Sequence, residues 1–445
     1  MPSSKLEKQT AEQLLNIHLQ QTYKDKVGML SKKLFADGKS YFIDRKTGMT
    51  PAQPAVVHVD VMDGFIAKKR LLKRKGLWII NDATESCPIL DDLTKSALAL
   101  TNEEATGIVA SKAKLTIKLF AYNRVNSLHR CLNALRNAYY DGDSVNLQIF
   151  IDFDVISTEF PPVVLQTAET FLWPHGSKEI IYRTSHAHIR QQWLESWYPS
   201  ADSFHSNEIE FAIFVEDDVE VSMFYYRWAK LAIKNYYLSP DSNPTRLMGI
   251  SLQKIWLDFT NYPARFDKKI KDHGKSLLYQ VPSTWGVIMS PSHWRTFRQW
   301  YDLQIRKNRL MQNDTGNPHH VLQPFLPGNL LSNVWYKQSQ GKMFLPWLIK
   351  FAYEMGWYFL YPNLPTKSLI INHQEPGAFN EESLGLDSLL LYNENEVGSS
   401  RNLYEMHQLK DLDLYDICGQ LSTPAKLDEN KQLGQVICVK HEEPP

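Results

Sequence analysis

Three consecutive carboxylates, Glu216-Asp217-Asp218, follow the apolar run Phe211-Ala212-Ile213-Phe214-Val215 and lead into Val219-Glu220-Val221. Like charges this close repel and shift one another's pKa unless a cation or hydrogen-bond donors neutralise them. Carboxylate oxygens suit hard divalent cations, so the triplet reads as a Mn²⁺ or Mg²⁺ site facing a polyanionic ligand. The plainer alternative is a solvated acidic loop after a core strand. Other residues able to do chemistry are Asn123 and Arg124, Asp152 and Asp154, His186, His188 and Arg190, Trp285-Gly286, and His373. Arg124 carries a planar fork of donors that matches phosphate oxygens. His186 and His188, two apart, have the spacing of strand-borne metal ligands. With no third partner nearby, surface or supporting roles are expected for them.

Positioning these groups calls for particular elements. The run 211–215 is apolar on both faces, as in a strand of a parallel sheet covered by helices. Residues 115–122 predict a strand ending at Asn123-Arg124. A helix follows, with Leu128, Cys131, Leu132, Leu135 and Ala138 on one face and Asn126 or Ser127 as its cap. Residues 145–151 predict a second strand ending on Asp152, which completes a βαβ unit with parallel strands. Ligands of such sheets bind beyond the carboxyl ends of the strands, where Asn123, Arg124, Asp152 and the acidic triplet would all fall. Further strands are predicted at 179–182, 247–252, 280–289, 357–361 and 368–372, and helices at 165–171, 186–197, after Ser222, at 293–305 and at 343–353. The polar, Pro-rich stretch 308–329 reads as a lid or acceptor-binding loop.

Composition sets the bounds. The chain has 445 residues, 43% of them hydrophobic and 22% charged, which excludes wholesale disorder. Lys+Arg and Asp+Glu both number 49, so no global field draws the chain to nucleic acid. The basic run 68–75 is a conceivable nucleic-acid or lipid-headgroup patch, but its shortness favours a solvated face. The 12 Trp and 21 Tyr exceed what a core needs and include rings able to stack on sugars. Four cysteines, Cys87, Cys131, Cys418 and Cys438, form no close pair and define no compartment. No apolar run of about 18 residues occurs, and the N-terminus is polar, so neither a membrane span nor a signal peptide is expected. The expected organisation is an N-terminal α+β extension over 1–110, a main α/β domain over 111–377 and a partly ordered tail over 378–445.

Laid out this way, the chain from Lys114 to Gly377 resembles the GT-A-fold glycosyltransferases. It is most similar to family-2-like transferases and to the N-acetylglucosaminyltransferases of N-glycan and O-mannose chains. The resemblance is carried by Phe120-Ala121-Tyr122-Asn123-Arg124 with the helix behind it, by Ile151-Asp152, by Val215-Glu216-Asp217-Asp218-Val219, and by Trp285-Gly286. It implies a Rossmann-like α/β fold and metal-dependent transfer of a sugar from a nucleoside diphosphate, a UDP-sugar above all, to a hydroxyl of a glycan or other acceptor, with inversion. Asp218 is then the metal ligand, with His373 as a further one. Glu216 holds the ribose, Asp217 faces the donor sugar, Asp152 reads the base, and Arg124 meets the diphosphate. Asn123, Arg190, Trp285 and Gly286 complete the donor site. An inverting enzyme also needs a general base. Asp302, Asp314 and Glu354 are the acids in range, and Glu354 is the one favoured. A catalytically silent sugar-binding or scaffold protein on the same fold is the alternative. The compartment stays open between cytoplasm and, by resemblance, Golgi lumen, because the membrane anchor usual in that group is not visible.

Overall fold

The computed structural model describes residues 35–37, 56–58 and 112–432 except 154–160, 184–185, 200–207, 240–243, 256–269, 271–273, 316–322, 327–329, 365–366, 377–384, 387 and 398–402. The chain divides into two compact units, Met1–Asp92 and Leu93–Pro445. In the first, β1 (Phe35–Asp37) pairs in parallel with β2 (Val56–His58). The rest of the expected N-terminal extension up to residue 110, the basic run 68–75 included, lies outside the described residues.

The second unit is mixed α/β, built on one ten-stranded sheet. Its parallel half holds β3 (Lys112–Ala121), β4 (Val145–Ile151), β5 (Lys178–Tyr182) and β6 (Glu208–Glu216) in the spatial order β5-β4-β3-β6. Beyond β6 lies β10 (Val287–Met289), antiparallel to β6 and to its other neighbour β8 (Leu247–Ser251). β11 (Tyr358–Tyr361) then runs parallel to β8, and β9 (Leu277–Tyr279) antiparallel to β11. Crossing two antiparallel contacts restores direction, so β8 and β11 end at the same edge as β3, β4 and β6. A separate two-stranded ribbon pairs β7 (Val219–Val221), just past the acidic triplet, with β12 (Ile370–Asn372).

Side-chain alternation along the strands makes two cores, one on each face of the sheet. Leu115, Ile117 and Leu119 of β3, Leu147 and Ile149 of β4, and Phe211, Ile213 and Val215 of β6 pack on the first face. There they meet Leu128, Cys131, Leu132 and Leu135 of α1 (Val125–Arg136), Val164 and Ala168 of α2 (Pro162–Thr170), and Trp228, Ala232 and Tyr236 of α4 (Tyr225–Tyr236). Phe120, Phe150, Ala212 and Phe214 project to the second face. They are covered by Trp193 of α3 (His188–Glu195), Trp294 and Phe297 of α5 (Pro291–Thr315), and Trp347 and Phe351 of α7 (Leu345–Met355). Each of these rings buries a large apolar area, so most of the excess aromatic content is core. A shorter helix, α6 (Leu331–Gln338), lies between α5 and α7 in sequence.

Several expected elements differ. Residues 280–289 do not form one strand: Gly286 adopts φ +70°, and β10 starts only at Val287. α5 runs to Thr315, so the first residues of the expected lid are helical. α1 has no side-chain cap; its N-terminal boundary residue is Arg124, and Ser127 donates instead to the Glu375 carboxylate. Residues 403–432 are built into the fold rather than trailing from it. β13 (Leu414–Tyr415) extends the sheet beyond β9, β14 (Leu421–Ser422) closes that edge, and the helix α8 (Pro424–Gln432) packs on α7 with Leu427 buried. Arg246 clamps it by a bidentate pair with Asp428. Among the described residues no helix is long and apolar enough to cross a membrane.

Candidate functional site

β6 carries the acids because its register with β3 and β10 delivers its last residue, Glu216, to the carboxyl edge of the sheet. There the backbone turns through Asp217 and Asp218 before re-entering the ribbon as β7. The turn is fixed from outside by β12: the His373 N–H donates to the Asp218 carbonyl at 3.0 Å, and Asn372 Nδ2 donates to Asp218 Oδ1 at 3.1 Å. Asp217 and Asp218 are almost fully buried, at 2% and 6% exposure. Ionised carboxylates so placed must be compensated.

The compensation comes from Arg124, three residues past the end of β3 on the neighbouring strand. Its Nη1 donates to Asp218 Oδ2 at 2.9 Å and its Nη2 pairs with Asp217 Oδ1. One guanidinium fork thus spans two carboxylates. The Asp217 side chain also accepts from the Tyr122 backbone N–H. Glu216 receives the Trp193 indole N–H, which ties it to the second core. Burial pushes the Glu216 carboxyl up to about 8, with the Asp218 charge adding to the push and Arg124 opposing it. Asp217 is raised to about 6 by burial, against the pull of Arg124. For Glu216 and Asp217 burial outweighs the pull of the single guanidinium.

The other expected residues separate into two groups. Asp152 comes to the same edge at the end of β4, nearly buried. Its Oδ1 accepts from the Phe153 and Ala187 N–H groups at 2.9 and 2.8 Å, and its Oδ2 pairs with His186 Nδ1 at 3.0 Å. It therefore ties the loop entering α3 to the sheet, using both oxygens for the chain's own donors. His186 sits against Tyr122 and His188, with ring centroids 5.4 and 4.0 Å away, an aromatic wall beside the acids' edge. Asn123 is exposed at the end of β3. Trp285 and Gly286 immediately precede β10, and the Gly286 N–H donates to the Phe214 carbonyl, two residues short of Glu216. A Cβ on Gly286 would lie 2.6 Å from Ile370 Cδ1, so glycine lets β12 approach this closely. Asp154 lies outside the described residues.

Three of the expected residues are engaged by other partners. His373 Nε2 pairs with Glu220 Oε2 at 2.9 Å, so the imidazole turns to its ribbon partner while only its backbone N–H meets Asp218. Arg190 donates to the Gly341 carbonyl at 2.7 Å, which spends it on the turn after α6. Glu354 lies at the C-terminal end of α7, just ahead of the amino end of β11 and so at the opposite edge of the sheet from Asp218. It accepts from Trp300 Nε1 at 2.9 Å and pairs with Lys350 at 3.4 Å. A base must reach the acceptor hydroxyl, and this carboxylate faces away from the edge where the acids gather.

Four contributors escaped the sequence reading. Asn372 supplies an amide to Asp218, Trp193 an indole to Glu216, and Glu220 engages His373. Glu375 accepts from Arg130 Nη2 at 2.8 Å and from Ser127, joining α1 to the segment after β12. Glu375 and Asn372 flank the His373 already singled out, and position in the chain was their only signal.

Among the described residues no group of three or more His, Cys, Asp or Glu side chains forms a metal ligand set. A cation would therefore take one carboxylate, Asp218, and fill its shell from phosphate oxygens and water, the usual habit of Mg²⁺. Asp218 offers hard oxygen donors for it, Oδ2 now shared with Arg124 and Oδ1 with Asn372.

A family model described as the SPBC1E8.03c C-terminal domain matches residues 126–310. Curated proteins give no match. Among solved structures the chain is similar to S. aureus TarS 1-349, a crystal structure, at 10% identity and a TM-score of 0.26. That likeness covers 42% of this chain and 55% of the other, so the chain spans about half of the TarS structure's length. The functional reading is carried by the geometry of the acidic edge.

Proposed function

We propose that this chain is a glycosyltransferase that moves a hexosyl or N-acetylhexosaminyl group from a nucleoside diphosphate, as in a UDP-sugar, to a hydroxyl of a glycan or other acceptor, with inversion. One observation carries the reading: of three contiguous acids at the carboxyl end of a central parallel strand, two share a single guanidinium from the loop after the neighbouring strand. That is the edge where ligands of such sheets bind, and the pairing of buried acids with a fork of donors suits a metal-borne diphosphate. In the reaction the anomeric C–O bond to the diphosphate breaks, a bond to the acceptor oxygen forms on the opposite face, and the hydroxyl proton is released.

Asp218 is the residue that would hold Mn²⁺ or Mg²⁺, which supplies Lewis-acid neutralisation of the leaving diphosphate. Arg124 contributes permanent positive charge for the same oxygens. Glu216 would accept from ribose hydroxyls and Asp217 from the donor sugar. Asp152 acts by holding the loop that carries His186, whose ring and that of Tyr122 offer a surface for a base. The placement of Glu354 at the far edge favours a second reading, a silent sugar-binding protein on the same site. A screen of nucleotide sugars with Mn²⁺ and mixed acceptors, read as nucleotide release, separates the two. Release that Asp218→Ala abolishes supports the enzyme. Binding without release supports the silent protein, and no binding to any donor refutes both.

A further inference from the structure

Arg124 occupies the position in the acidic turn where an external cation would otherwise sit. Its two terminal nitrogens are divided between two side chains, Nη1 on Asp218 Oδ2 and Nη2 on Asp217 Oδ1, rather than forming a fork on one carboxylate. The remaining Asp218 oxygen accepts from Asn372. A divalent cation arriving alone on Asp218 Oδ2 would meet a guanidinium 2.9 Å from the same oxygen, and arginine cannot shed its charge. The Arg124 side chain is 23% exposed while those of Asp217 and Asp218 are 3% and 9% exposed, so the guanidinium closes the acids off on their solvent side.

We infer that Arg124 is a built-in counter-cation that couples metal and nucleotide binding: it blocks the metal from the donor-free chain and moves to the incoming diphosphate as the metal takes Asp218. The inference rests on the donor-site reading above and deepens it. The diphosphate is the one ligand that resolves the conflict, because it gives the guanidinium an alternative set of anionic oxygens and brings further ligands for the cation. Metal and nucleotide therefore bind cooperatively, each raising the other's affinity by the same factor. Arg124 acts as a positioning residue whose effect is read in binding, independent of turnover.

The test measures Mn²⁺ alone, by the loss of the free-ion electron paramagnetic resonance signal, then UDP alone and both together by calorimetry, on the full chain and on Arg124→Gln. The wild type should bind Mn²⁺ at least tenfold more tightly with UDP present than without. Arg124→Gln should bind Mn²⁺ alone at least tenfold more tightly than the wild type and lose most of the coupling. Should that variant not fold, Arg124→Gln with Asp217→Asn removes one charge of each sign and should show the same gain. A variant with unchanged affinity for Mn²⁺ alone overturns the inference and leaves the donor-site reading standing; wild type that binds Mn²⁺ equally with and without UDP overturns both, because its UDP binding is then independent of Mn²⁺. Absence of binding to Mn²⁺ and UDP together overturns that reading itself, and the inference with it.

Discussion

Replacing Arg124 by Gln tests how much of the fold depends on compensating the acidic turn. The substitution leaves Asp217 and Asp218, both nearly buried, without their guanidinium. Removing one partner of a buried pair costs about 3–5 kcal/mol, but Arg124 keeps 23% exposure and water can enter its place, so about 2–3 kcal/mol is expected. The sign of the pH dependence follows from Asp217. Its folded pKa is raised to about 6 from 3.8 even with Arg124 present, so it opposes stability as pH rises through that window. Without the guanidinium the penalty grows above neutrality and shrinks on acidification as the carboxyls take up protons. Urea unfolding of both proteins at pH 8 and pH 5, followed by tryptophan emission, measures it, since Trp193 touches the triplet. A loss below about 0.5 kcal/mol at pH 8, or a loss that increases at pH 5, would refute the reasoning.

Other consequences can be measured separately. His293 is buried between Ser290 and the Thr245 carbonyl, and burial lowers its pKa from 6.5 to about 4. A depressed basic group leaves stability whole above 6.5 and erodes it as pH falls toward 4, by about 3 kcal/mol; unfolding of His293→Gln should be flatter over that range, and an unchanged slope contradicts this. Gly286→Ala forces a side chain into φ +70° and against Ile370, and should cost about 1–3 kcal/mol in thermal unfolding; a neutral result would mean that β12 gives way freely. Glu354→Gln should change nucleotide release by less than twofold, since the carboxylate serves Trp300 and Lys350 at the far edge; a hundredfold loss would restore it as the base.

The apolar run 211–215 announces a strand buried on both faces, and its acids mark the edge where it ends. That inference needed only alternation, and β6 follows it, with 211, 213 and 215 in one core and 212 and 214 in the other. The opening βαβ unit was legible for the same reason. The partners of the acids were not. Arg124 and Asp217 are 93 residues apart, and nothing local says that one fork will span two carboxylates. Asn372, a strand-end amide, matters only because β12 pairs with β7. The two-residue strands β13 and β14 are too short to show a period, so 403–432 looked like a tail. Glu354 was drawn into the site by its distance along the chain, but β11 begins at the amino edge, which puts the residue ahead of it on the wrong side.

Calorimetry of UDP binding with and without Mn²⁺, on wild type and Asp218→Asn, tests the central claim most directly. Mn²⁺-dependent binding in the wild type that weakens at least tenfold in Asp218→Asn is the predicted result. UDP binding unaffected by Mn²⁺ and by the substitution, or no binding in the wild type, would contradict it.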